Sequence, residues 1–263
     1  MFNHQPKKSL GQNFLRDKSI INRIISTLSS INADHIIEIG PGKGALTYSF
    51  IKKYKSVTII EKDDSFSNFW INEKDNKNLK NLKILNSDFL DIDSNSLGNG
   101  QNTVCFSSLP YNVSKKILFQ LLFQHKWFNT GVFIIQKEVA QDYCSTPPNA
   151  NFLSRVIELV GKCEYLFDVP PSAFTPKPRV NSAVIKIEKT SSFINGTEEQ
   201  IKFLKFVKNL YGYKRKTIKN SIKMAYKKDA SNLEKFTVNI DNLKLSEKRV
   251  EELTIEQLIK IWE

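Results

Sequence analysis

The chain lacks any apolar run near the ~20 residues that a membrane span needs, so a membrane role is not expected. Its 263 residues include only three cysteines, Cys105, Cys144 and Cys163. They are odd in number, far apart in sequence and in no Cys-x-x-Cys pair, so neither a disulfide framework nor a zinc site is indicated. They read as reduced core residues. The opening MFNHQPKKSLGQNF has neither the apolar stretch of a secretory signal nor the Arg-rich look of a transit peptide, and a cytoplasmic location is expected.

Acidic residues are also in short supply: 27 Asp and Glu against 39 Lys and Arg give a formal charge of +12. Such an excess points to a polyanionic partner, because cationic side chains gain affinity by releasing counterions condensed on phosphates. Lysine outnumbers arginine and asparagine is abundant, which also fits unselected surface composition, so the placement of the charge matters more than its sum. Between Ile201 and Lys228 there are ten Lys or Arg and no Asp or Glu. Lys214, Arg215, Lys216, Lys219, Lys223 and Lys227 lie in this run, and Lys216, Lys219, Lys223 and Lys227 fall at helical spacing opposite Ile218 and Ile222. A solvated helix is the bland reading; a nucleic-acid face is favoured.

Seven short β-branched runs alternate with helical periods over the first 190 residues: 35–40, 56–61, 82–86, 103–107, 131–136, 163–169 and 182–188. This is the pattern of a parallel sheet wrapped by helices. The last two runs are separated by PPSAFTPKPRVN, too short for a helical crossover, and are expected to pair as an antiparallel hairpin. TSSFING (190–196) reads as a linker, and beyond it only helical patterns follow, ending with helices at 246–251 and 254–262. The expected fold is an α/β, seven-stranded Rossmann-like domain over residues 1–190 with a small all-helical domain over 191–263. SNSLGNGQN, around Leu97, reads as a turn-rich surface loop.

In EIGPGKGALT an apolar strand runs into Gly40, Gly42 and Gly44. Glycines here allow a tight strand-to-helix turn and close approach of the backbone to a nucleoside. The spacing is Gly-x-Gly-x-Gly, not the Gly-x-Gly-x-x-Gly that cradles a pyrophosphate, although a structural turn explains it equally well. A carboxylate beside the loop, Glu38, suits the cationic amino-acid end of S-adenosylmethionine and would repel a diphosphate. Glu61 closes the next strand, where it can accept from both ribose hydroxyls. Asp88 follows the third strand and could accept from an adenine amino group; alone, a capping role is the simpler reading. Three acids at three successive strand ends make the stronger joint signal.

The fourth strand ends in SSLPYNVSKK. A Pro followed by an aromatic at a strand end resembles the Asn/Asp-Pro-Pro-Tyr/Phe signature of amino-methyltransferases, in the Leu-Pro-Tyr form of ribosomal RNA adenine dimethyltransferases. KKSLGQNFL, QKEVAQDY, VPPSAFTPKPRVNSAVIKI and YKRKTIKNSI resemble further motifs of that family, in the same order and across nearly the whole chain. The resemblance implies a class I methyltransferase fold, S-adenosylmethionine as cofactor, and dimethylation of two adjacent adenines near the 3′ end of small-subunit ribosomal RNA. It implies a monomer with small-subunit RNA and the immature small ribosomal subunit as partners. Cofactor-binding positions carried over are Asn13, Leu15, Gly40, Glu61, Asp88 and Ser108. The catalytic set is Ser108, Leu109, Pro110 and Tyr111, with Tyr111 stacking on an extruded adenine and Phe174 covering its other face; for Phe174 alone a core aromatic is the simpler reading.

One position departs from the family, which normally has Asn before Leu-Pro-Tyr where this chain has Ser108. Adenine N6 is a poor nucleophile because its lone pair is delocalised into the ring. Acceptors at Ser108 and at the Pro110 carbonyl are expected to hold the amino hydrogens and turn that lone pair toward the methyl. A hydroxyl is a shorter acceptor than a carboxamide and has a weaker dipole, so lowered activity is expected. Two alternatives remain open: a catalytically weakened ribosome-assembly or organellar transcription-factor relative, and a large-subunit RNA methyltransferase.

Overall fold

The computed structural model describes residues 11–94, 96–97 and 102–263. The start of KKSLGQNFL and most of the SNSLGNGQN loop lie outside these residues. By contact pattern the chain divides into two compact units, residues 1–140 with 164–189, and residues 141–163 with 190–263.

The first unit is built on seven strands in the order β4-β3-β2-β5-β6-β9-β7, which are Leu82–Asn86, Ser56–Glu61, His35–Ile39, Thr103–Ser108, Thr130–Gln136, Ser182–Lys189 and Gly161–Val169. β7 begins in the second unit and ends in the first. The first five pair in parallel, and β9 runs antiparallel to β6. These strands match the seven sequence-predicted runs, and the last two are neighbours. All five residues of β2 and the last five of β3 are buried, as expected of strands covered on both faces. The order reverses between β2 and β5: from β2 the chain goes out to β3 and β4, then returns to β5. A crevice therefore opens at the strands' carboxyl ends there.

A second, two-stranded sheet was not expected. β1 (Phe14–Leu15) pairs antiparallel with β8 (Phe174–Thr175), with Leu15 opposite Phe174. Strands of two residues carry no readable period. The pairing brings the N-terminal segment to the loop that precedes β9. Helix α1 (Lys18–Ser29) follows at once, its N-terminus capped by the Asp17 carboxylate on the N–H groups of Ser19 and Ile20, with Ile20, Ile24 and Leu28 turned inward.

The second unit holds α6 (Phe152–Glu158), α7 (Thr197–Tyr211), α8 (Ile218–Ala225), α9 (Ala230–Asn242) and α10 (Ile255–Trp262). Phe203, Phe206, Phe236, Ile218 and Ile222 are buried among them. The segment 141–163 is held here by the Ala150 N–H and carbonyl, bonded to the Glu251 carbonyl and the Tyr211 hydroxyl, and by Arg155, whose side chain is fully buried. Its guanidinium donates to the Leu253 carbonyl, 2.5 Å, and to the Tyr211 hydroxyl, 3.4 Å, and pairs with Glu158. The helix expected over 246–251 does not form, and only Val250–Glu252 makes a 3-10 turn; the helix expected over 254–262 forms as α10, with Thr254 as its N-cap. Among the described residues no helix is long and apolar enough to cross a membrane.

The cysteines need correction. Cys105 is a core residue, but Cys144 and Cys163 are partly exposed, and their sulfurs lie 2.7 Å apart. Separation in sequence was a poor guide, because the chain after α5 (Lys137–Tyr143) turns back to begin β7.

Candidate active site

At the carboxyl ends of β2, β3, β4 and β5 lies a cavity of about 230 Å³, lined entirely by residues of the first unit. It brings together Asn13, Leu15, Glu38, Gly40, Gly42, Glu61, Asp88, Ser108, Leu109, Pro110, Tyr111 and Phe174. Of the residues expected at the cofactor, only Gly44 is absent from its wall. Gly44 has φ +79°, and a Cβ there would meet the Trp70 ring at 2.5 Å, so it serves the packing beneath the turn. Gly42 has φ +49° and would collide with Phe14 at 2.9 Å, which explains why this wall position has no side chain. The fully buried Trp70 also donates from its indole N–H to the Gly42 carbonyl, 3.1 Å, fixing the loop from below.

The three carboxylates differ in state. Glu38 accepts from the Thr47 hydroxyl, 2.6 Å. Burial pushes its pKa up to about 8, aided by the nearby Glu61 and opposed by Thr47. Glu61 accepts from the N–H groups of Gly42, 3.2 Å, and Asp63, 2.9 Å. Burial raises its pKa as well, against the pull of those N–H groups. The Lys62 N–H acts on it as well, and a carboxylate's roughly four lone-pair sites leave Glu61 capacity for a further donor. Asp88 caps the turn at Phe89–Asp91 through the Leu90 N–H and pairs with Lys62 at 2.6 Å. Burial draws its pKa up, but the Lys62 ammonium and the Leu90 N–H outweigh this and hold it below the ordinary range. Asp88 therefore does cap, and it also lines the cavity.

Strand β5 delivers the Ser107 to Tyr111 sequence to the same cavity. Ser107 faces inward and its hydroxyl donates to the Ile39 carbonyl, 2.7 Å, whereas the Ser108 hydroxyl bonds no described residue. The expectation for Pro110 is corrected by the turn it begins. Its carbonyl accepts from the N–H groups of Val113, 3.1 Å, and Ser114, 3.0 Å, which occupies both lone pairs. The Leu109 carbonyl accepts from no described group and is the backbone acceptor available beside Ser108. The Tyr111 hydroxyl shares a 2.6 Å hydrogen bond with Ser182, which fixes its ring, and burial raises its pKa against that bond. Phe174 is buried in the core cluster, as the simpler reading expects, and it also reaches the cavity wall. Asn13 donates to the Gly11 carbonyl, 3.2 Å, shaping the N-terminal wall. Phe14, Lys43, Lys62, Phe89 and Ile134 also line the cavity and were missed by sequence reasoning. Phe89, directly after Asp88, is the one whose place the DFLD pattern could have suggested.

In the second unit the basic segment is less regular than its periodicity suggested. α8 covers only Ile218–Ala225; Lys214, Arg215 and Lys216 precede it in a turn and Lys227 follows it. All six expected RNA contacts are exposed. Lys219 is paired with Asp241 of α9 at 3.2 Å, an acidic neighbour invisible in the local sequence. Lys214, Arg215, Lys216, Lys223 and Lys227 form no ion pair with a described residue.

Comparison with known proteins agrees with this geometry. The family model described as ribosomal RNA adenine dimethylase matches residues 3–263. Proteins named ribosomal RNA small subunit methyltransferase A are similar over most of their length. That of Mycoplasma capricolum is 34% identical over 97% of this chain and 96% of its own. That of Wigglesworthia glossinidia brevipalpis is 37% identical over 84% and 85%. Among solved structures, a dimethyladenosine transferase from Plasmodium falciparum shares the fold with TM-score 0.77 at 21% identity, covering 94% of this chain and 95% of that one. The 23S rRNA methyltransferase ErmE does so with TM-score 0.72 at 20% identity, covering 95% and 98%. With the family model spanning nearly every residue and close relatives matching end to end, the chain belongs to the ribosomal RNA adenine dimethylases, enzymes that use S-adenosylmethionine.

Proposed function

We propose that this enzyme dimethylates N6 of two adjacent adenines near the 3′ end of small-subunit ribosomal RNA, acting in the cytoplasm as a monomer on the immature subunit. The choice of the small subunit rests on the name its relatives carry. The observation that carries the chemistry is the convergence of Glu38, Glu61, Asp88, the Ser108 to Tyr111 turn and Phe174 on that one cavity.

The donor set fits the cofactor. Glu38 holds the cationic amino-acid end and Glu61 the ribose hydroxyls, while Asp88 and Phe89 bound the adenine. Bound there, S-adenosylmethionine supplies an electrophilic methyl on a sulfonium. The protein's own task is then orientation. The Leu109 carbonyl and the Ser108 hydroxyl accept the two amino hydrogens of the target adenine, turning the N6 lone pair out of conjugation and stabilising positive charge as it develops on nitrogen. Tyr111, its ring held by Ser182, stacks on the extruded base, and Phe174 closes the far side. Removing one preorganised polar group at a reacting centre costs about 2.7 to 4 kcal/mol in the oxyanion-hole precedent, and partial replacement by a hydroxyl costs less. In the second unit, Lys214, Arg215, Lys216, Lys223 and Lys227 supply affinity for phosphates irrespective of sequence.

The test is single-turnover methylation of undermethylated small subunits at saturating cofactor, with mass-spectrometric mapping of the modified adenines. Two dimethylated neighbours near the 3′ end are expected. Methylation confined to large-subunit RNA, or none at all, would overturn the reading.

A further inference from the structure

Cys144 and Cys163 take no part in the chemistry above. Their sulfurs stand 2.7 Å apart across a separation of 19 residues, closer than non-bonded heavy atoms normally approach and not far beyond the ~2.05 Å of a disulfide. Both are partly exposed, in contrast to the buried Cys105. Both also sit on backbone that is held in place. Cys144 follows α5, and the turn after it is fastened by Asn151, whose side chain donates to Asp142 at 2.9 Å and whose N–H donates to the Ser145 hydroxyl at 2.9 Å. Cys163 is the third residue of β7, and the residue before that strand accepts from the Thr190 N–H, 2.9 Å. Two thiols of partly exposed residues on ordered supports, already in near-bonding contact, have no search to make before reacting with one another.

We propose that Cys144 and Cys163 are a modification site, a dithiol that a peroxide converts reversibly to an intramolecular disulfide. The thiolate of one cysteine attacks a peroxide oxygen, breaking the O–O bond. It becomes a sulfenic acid, and hydroxide leaves and is protonated to water. The second thiolate then attacks the sulfenic sulfur, forming the S–S bond and displacing hydroxide, which becomes a second water. Two thiols lose two electrons and two protons, and one hydrogen peroxide gains both. A dithiol reductant reverses the step by exchange, so in a reducing compartment the bond is transient.

The experiment uses the full reduced chain, treated with a small molar excess of hydrogen peroxide, quenched with N-ethylmaleimide and mapped by peptide mass spectrometry. A linked peptide pair containing Cys144 and Cys163 is expected, lighter by two hydrogen atoms and restored to two alkylated peptides by dithiothreitol. Cys105 takes up label only after denaturation. Folded protein is expected to form the link at least tenfold faster than the same chain in urea, because the native structure holds the sulfurs together. Cys163→Ser abolishes the link while keeping its fold by circular dichroism. Equal rates folded and unfolded, links between separate chains, or full alkylation at both positions after peroxide would each overturn the proposal.

Discussion

Glu38 offers a proton-linked test of the cofactor site. With its pKa at about 8, it is mostly neutral at pH 7, about nine-tenths protonated on the simple titration curve. The cationic end of the cofactor favours the ionised form, so binding below pH 8 must expel that proton. If the bound carboxyl returns to the ordinary range, the dissociation constant falls about tenfold per pH unit between pH 6 and 7.5, which is 1.4 kcal/mol per unit. The same shift carries a stability consequence with its own sign. A carboxyl whose folded pKa lies above its unfolded 4.5 stabilises the empty protein fully below pH 4.5, and that stabilisation is lost as pH rises toward 8, by at most about 5 kcal/mol. Calorimetry of S-adenosylmethionine binding in phosphate and in Tris at pH 7 reads the proton release directly, and Glu38→Gln removes the proton concerned. Wild type is expected to release most of one proton more than the variant. Equal release, or equal slopes of affinity against pH in the two proteins, would refute the assignment of Glu38 to the cationic end.

Other outcomes follow from the same geometry. Ser108→Asn raises the single-turnover methylation rate and Ser108→Ala lowers it; one rate for all three proteins would remove Ser108 from the chemistry. Tyr111→Ala also lowers the rate, since stacking on an unpaired base is worth about 1 to 3 kcal/mol. Replacing Lys214, Lys216 and Lys223 with Gln flattens the plot of log affinity for RNA against log salt by about 0.7 to 0.9 per lost phosphate contact, whereas Lys219→Gln, already paired with Asp241, changes it less; the same salt titration decides both. Arg155→Ala leaves Glu158 and the Leu253 carbonyl without their partner and costs about 3 to 5 kcal/mol, read as a lowered urea midpoint; an unchanged midpoint would mean that Arg155 is not what holds segment 141–163 in the second unit.

The features legible in the sequence were those that repeat or cluster. The seven sheet strands show as β-branched runs because burial on both faces demands continuous apolar residues, and Glu38, Glu61 and Asp88 could be placed because strand ends are fixed once strands are. What escaped depends on single contacts between distant residues. Nothing local in 141–163 announces that it belongs with the last helices; bonds from Ala150 and from the buried Arg155 guanidinium to distant residues place it there. Every residue carries a carbonyl, so only the turn after Pro110 shows that Pro110 is occupied and Leu109 is not. Gly44 and Gly42 look alike in sequence, and the rings of Trp70 and Phe14 tell them apart. Lys219, in a run that contains no acid of its own, still found Asp241, because α9 lies alongside α8.

The short ladder of Leu15 against Phe174 also sets a timetable. Residues 11–15 form one wall of the cofactor cavity, yet their partner strand is made 159 residues later. At ~5 to 20 residues per second the early segment waits roughly 8 to 32 s for it, with Phe14 and Leu15 uncovered meanwhile. A growing chain therefore has its glycine turn and its acids well before it has a closed site, and cofactor capture comes late in synthesis. Chains stopped before Phe174 would carry most of the recognisable motifs and still fail to hold the cofactor.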